Sequence, residues 1–86
     1  MGSVRFDGVR FVVYVEDHVP RHVHGFYAET EVILELRDVP QREVALANRS
    51  NAVRPGNANR GDVRRILRVA RAHFEELVKL WEKAHA

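Results

Sequence analysis

Three of the chain's five histidines fall within seven residues of Asp17-His18-Val19-Pro20-Arg21-His22-Val23-His24. An imidazole with its ordinary pKa of ~6.5 can both give and take a proton near neutral pH. A neutral and a protonated imidazole side by side could act as base and acid on an RNA 2′-hydroxyl and its leaving 5′-oxygen, with an arginine stabilising the phosphorane charge. On this reading His22 and His24 are the acid–base pair, His18 and Arg21 support them, and any enzyme activity is that of a histidine ribonuclease. No cofactor is expected for such chemistry.

Two other readings use the same residues. His18, His22 and His24 could ligate one divalent metal ion, with Glu29 extending the set to His-x-His-x4-Glu, a spacing similar to that of cupins. The glycines flanking the cupin motif are absent and the chain is short for that barrel, so only a surface metal site survives from this comparison. Alternatively the histidines are structural. His18 then caps the loop through a backbone carbonyl, His22 and His24 sit on a half-exposed strand, and Asp17 stabilises the turn through its own backbone.

The elements that must position these residues follow from periodicity. Val4-Arg5-Phe6, the turn former Asp7-Gly8 and Val9 to Val15 predict a hairpin. Val9, Phe11, Val13 and Val15 share the expected core face, and Val12 and Tyr14 the other. Pro20 predicts a loop over 16–21. Residues 22–28 then alternate as a strand with His22, His24 and Phe26 on one face. A polar turn at Glu29-Thr30-Glu31 leads to a strand over 32–37, and a weaker strand is expected over 43–47.

Residues 48–58 are polar and rich in turn formers, which predicts a loop. From Asn59, a candidate N-cap, the pattern becomes helical. Val63, Ile66, Leu67, Ala70, Phe74, Leu77, Val78 and Trp81 form one apolar stripe. His73 borders that stripe, and His85 is expected in a fraying tail. The expectation is therefore an α+β fold in a single domain over 1–86. A small, mostly antiparallel sheet of three to five strands (1–47, with the histidine-rich loop) is followed by the polar loop and covered by one long C-terminal helix over 59–85.

A second constellation is cationic. Arg49, Arg54, Arg60, Arg64, Arg65, Arg68 and Arg71 fall within 23 residues that contain one acid, Asp62. Cations near a helix N-terminus oppose its macrodipole, so helix stability does not account for Arg60, Arg64 and Arg65. Binding to nucleic acid or to an acidic partner would account for them, against the bland alternative of a solvated face in an arginine-rich proteome.

The histidine segment resembles the Asp/Glu-His-x-Pro-Pro-His-Val-His signature of a family of small bacterial proteins, domain of unknown function 4160. Arg5-Phe6-Asp7-Gly8-Val9-Arg10-Phe11 is similar to that family's opening hairpin, and Glu76-Leu77-Val78-Lys79-Leu80-Trp81 to its closing helix. Arg21 stands where the family usually has a second proline, which relaxes the loop and adds a charge. The resemblance implies a small cognate protein partner in a toxin–antitoxin-like pair, with RNA as a target.

Composition sets the outer limits. An 86-residue chain with 45% hydrophobic residues builds one small core, which argues against a deep cofactor cavity. Without cysteine there is no disulfide or thiolate chemistry, and no apolar leader or membrane-spanning run is present, so a cytoplasmic location with no membrane partner is expected. An exposed edge strand offers a route to a homo-oligomer. The expected function is RNA binding or cleavage by the histidine cluster and arginine face; the alternatives are a non-catalytic interaction module and a surface metal-binding protein.

Overall fold

The computed structural model describes residues 2–86, so Met1 lies outside the described residues. An antiparallel sheet runs in the order β1 (Gly2–Phe6), β2 (Val9–Val13), β3 (His22–Tyr27), β4 (Thr30–Arg37), β5 (Glu43–Leu46), and β6 (Val53–Arg54) also pairs with β4. Helices α1 (Arg60–Ala72) and α2 (Phe74–Ala84) cover one face. The α+β class stands, with two corrections: among the described residues the strands number six rather than three to five, and the expected single helix is two. No described helix is long and apolar enough to cross a membrane.

The extra strand lies inside the stretch expected as loop 48–58. Ala47 N–H donates to the Ile33 carbonyl (2.9 Å) and Ile33 N–H donates to the Ala52 carbonyl (2.7 Å), so the chain leaves β4 and rejoins it around a bulge at 48–51. A two-residue strand has no period to read, which is why the sequence does not announce it.

The helix breaks at His73, whose φ of −121° and ψ of 32° lie outside the helical range. Its ring stacks on Phe6 at 3.9 Å between centroids, and its Nδ1 lies 3.3 Å from Glu76 Oε2. The apolar stripe runs through the break without interruption, from Ile66, Val69 and Ala70 to Leu77, Leu80 and Trp81. The physical reason for the break is therefore tertiary. A sheet twists, and a change of direction lets α1 pack on β3, β4 and β5 while α2 packs on β1 and β2.

Local signals otherwise match their expected roles. Asp7 (φ 49°) and Gly8 (φ 82°) both take the left-handed conformation that a tight hairpin turn requires. Asn59 Oδ1 accepts from Gly61 N–H (2.7 Å) and Asp62 N–H (3.2 Å), capping α1. The main core joins Phe11, Val23 and Leu34 to Ile66, Ala70 and Leu77. Gly25 is needed for close approach, because a Cβ there would lie 2.6 Å from Ile66 Cγ2 and 3.1 Å from a Phe11 ring carbon.

The faces of β2 differ from expectation. Val15, expected in the core, is 58% exposed, whereas Val12 on the other face is 1% exposed. The strand ends at Val13 because residues 14–17 form a turn, so alternation no longer applies to Val15. The face away from the helices is therefore also buried, beside Val12 and Ile33.

Gly25→Ala should destabilise the domain by about 1–3 kcal/mol through overpacking. In a double-mutant cycle read by urea unfolding, that cost should shrink in an Ile66→Ala background; an unchanged cost would point to another cause. The Glu76 carboxyl is held below its ordinary value of 4.5, first by its own backbone N–H and second by His73. Its contribution to stability is thus complete above that value and is lost as pH falls through the lower folded-state pKa. Glu76→Gln should lower the melting temperature near neutral pH, and the difference from the native protein should narrow on acidification below 4.5.

Candidate functional site

Strand β3 directs Val23 and Gly25 at the core, so His22, His24 and Phe26 point to the opposite face. There His24 is in register with Val12 and Ile33, His22 with Glu35, and Phe26 with Glu31. The chain between β2 and β3 folds back over this face. Tyr14 N–H donates to Asp17 Oδ2 (2.9 Å) and Asp17 N–H donates to the Tyr14 carbonyl (3.0 Å). These reciprocal bonds bring the Asp17 carboxylate to the two imidazoles.

At the centre, Asp17 Oδ1 lies 3.5 Å from His22 Nε2 and Asp17 Oδ2 lies 3.5 Å from His24 Nε2. The far nitrogens are engaged outside it: His22 Nδ1 with the Pro20 carbonyl (2.9 Å) and His24 Nδ1 with Glu31 Oε2 (3.0 Å). Both residues are 8% exposed, and His24 Nε2 is buried without a hydrogen-bond partner among the described residues. The Tyr14 ring meets His24 edge-on at 5.0 Å, and Trp81 from α2 flanks His22 at 5.4 Å.

The C-terminal end of α2 secures the loop from the other side. His85 stacks on Trp81 at 3.9 Å, and its Nε2 lies 2.8 Å from the Asp17 carbonyl. The expected fraying tail is thus an anchor. A cleft of about 630 Å³ opens beside the centre between the 16–20 loop and residues 47–49, with Asp17 and His22 in its wall.

The structure brings together only part of the sequence-derived set. His22 and His24 meet, but His18 is exposed at the cleft and lies outside the cluster that Asp17, His22 and His24 form. The Arg21 guanidinium bonds Asp38 Oδ2 at 2.6 Å and reaches the Leu36 carbonyl, so it is committed to the end of β4. Glu29 is exposed in the β3–β4 turn, where it lines two separate surface depressions. Glu31, expected in the turn, is in β4 and supports His24 instead.

The arginines divide as well. Arg49 lines the cleft, Arg54 Nη1 lies 3.6 Å from Glu31 Oε1, and Arg65 covers the Tyr27 ring at 4.7 Å. Arg60, Arg64, Arg68 and Arg71 lie exposed on α1, away from any carboxylate partner among the described residues.

Residues missed from sequence as parts of the centre are Asp17, Glu31, Trp81 and His85. Asp17 had a signal in its place within the histidine segment. Glu31 had one in the strand register, since it is the diagonal cross-strand neighbour of His24 once β4 begins at Thr30. His85, 68 residues from Asp17, had none.

The model of the family described as Domain of unknown function (DUF4160) matches residues 8–82, and the chain belongs to that family. The matched span contains Asp17, His22, His24 and Glu31 and stops short of His85. No curated protein and no solved structure matches the chain.

His85→Ala should speed amide exchange across the 14–17 turn and cost roughly 1–2 kcal/mol of stability, the scale of missing hydrogen bonds plus stacking. His18→Ala should stay within about 0.5 kcal/mol, as for a surface change. Equal destabilisation of the two variants, measured by urea unfolding, would contradict the anchoring role assigned to His85.

Proposed function

We propose that this DUF4160 member binds the phosphate backbone of RNA through the outer face of α1. The observation that carries this reading is the row Arg60, Arg64, Arg68 and Arg71. Among the described residues none of the four pairs with a carboxylate, while Asp38, Glu35, Glu31 and Glu75 pair with Arg21, Arg37, Arg54 and Arg42. Like charges four apart on a helix repel, so the row is not there for helix stability. Successive arginines at that spacing rise about 6 Å along the axis, a useful stride for backbone phosphates.

The reading is binding rather than cleavage. General acid–base catalysis needs both imidazoles within reach of substrate protons, and His24 Nε2 is sealed from solvent. The arginine row carries no aromatic side chain for base stacking, so recognition falls on phosphates and should be tolerant of sequence. The family resemblance adds a small cognate partner in a toxin–antitoxin-like pair, for which the edge strand β1 offers a pairing surface. The lack of cysteine suits a cytoplasmic setting.

The test is fluorescence anisotropy with a labelled single-stranded RNA over a series of salt concentrations. Arg64→Glu with Arg68→Glu should weaken binding at least ~100-fold and flatten the dependence of log K on log salt by about 0.7 for each phosphate no longer neutralised. Binding unchanged by the double variant, or an acidic protein bound in preference to RNA, would overturn the proposal.

A further inference from the structure

Independently of the RNA reading, we propose that Asp17, His22 and His24 form a binding site for one divalent first-row transition-metal ion. The hydrogen bonds around the centre define the tautomers. The Pro20 carbonyl can only accept, so His22 Nδ1 carries its proton and donates; the Glu31 carboxylate likewise takes the proton of His24 Nδ1. In the neutral rings both Nε2 atoms are then left as lone pairs, and both face the Asp17 carboxylate.

That arrangement lacks a partner of positive charge. Two lone pairs and a carboxylate repel one another, and 3.5 Å is longer than a formed N–H···O bond of about 2.7–3.2 Å. It matches a shared cation instead. Two metal–ligand bonds of ~2.0–2.2 Å at a tetrahedral angle put their ligand atoms roughly 3.3–3.6 Å apart. One donor atom from each of the three residues lies within 4.8 Å of the others.

Burial is a second, independent observation. His24 is nine-tenths buried, and its Nε2 points into the centre with no hydrogen-bond partner among the described residues. A metal bond would satisfy that nitrogen, which is otherwise a buried acceptor without a donor. The outer contacts also have the form that metal sites use: the far nitrogen of each ligating histidine is held by a carbonyl or a carboxylate.

Two imidazoles and one carboxylate suit Zn²⁺, Mn²⁺, Fe²⁺ or Ni²⁺, whereas Mg²⁺ and Ca²⁺ prefer all-oxygen shells. With Asp17 and His22 in the cleft wall, remaining coordination positions would face water or a small ligand. Neither His18 nor Glu29 belongs to this set; the carboxylate comes from the residue preceding the histidines in the chain.

The decisive experiment titrates Zn²⁺ alone into tag-free protein freed of metal by EDTA and dialysis, with uptake measured by calorimetry. The expected result is one ion per chain for the native protein, for His18→Gln and for Glu29→Gln. Affinity should fall more than ~100-fold in Asp17→Asn and His24→Gln, and about 10–100-fold in Glu31→Gln, as for loss of an outer-shell partner. Nitrogen-15 spectra of the native protein avoid dependence on variant folding: Zn²⁺ should shift Nε2 of His22 and His24 and leave His18 and His73 unmoved. No stoichiometric uptake by the native protein, or shifts centred on His18, would overturn the proposal.

Discussion

Strand β3 is packed on both faces, and its two-residue period is the constraint that the neighbouring elements satisfy. Val23 and Gly25 face the helices, with Gly25 too close to Ile66 and Phe11 to carry a Cβ without displacing them. His22 and His24 occupy the opposite face by the same alternation. A register slip of one residue would drive the imidazoles into the apolar core and expose valine. The pairing of His24 with Val12 and Ile33 therefore sets core and candidate site together.

Placing two imidazoles and a carboxylate at low exposure is costly for a small domain, because buried polar groups must find partners. The chain meets part of that demand with local groups. The Asp17 carboxylate takes the Tyr14 amide, His22 takes the Pro20 carbonyl, and His24 takes Glu31 across the hairpin. The remaining Nε2 atoms converge on Asp17, which is where the structure departs from the apolar packing of the other face. The α2 terminus completes the enclosure through Trp81 and His85.

The two candidate surfaces lie on opposite layers. The histidine and aspartate centre is on the sheet face opposite the main helix packing, beside the cleft, while Arg60, Arg64, Arg68 and Arg71, without a carboxylate partner among the described residues, are on the exposed side of α1. Charge is sorted between them: the acids around the sheet neutralise Arg21, Arg37 and Arg54 locally, and the helix row is left available. This separation lets polyanion binding and metal binding be tested in isolation, since no residue serves in both.

Patterns with a short period were legible in the sequence. The Asp7-Gly8 turn, the alternation that pairs His22 with His24, the Asn59 cap and the apolar stripe are local regularities, and local stereochemistry enforces them. The break at His73 was not legible, because the stripe continues through it and only the sheet beneath requires the change of direction. Nor was the two-residue β6, or the burial of Val12 and Ile33 on the second face. For the site, the sequence by itself determined which strand carries the histidines and that they share a face. Tertiary structure alone decided that Asp17 joins them rather than His18, Arg21 or Glu29, because a folded turn, a strand register and a helix terminus 68 residues away set the distances.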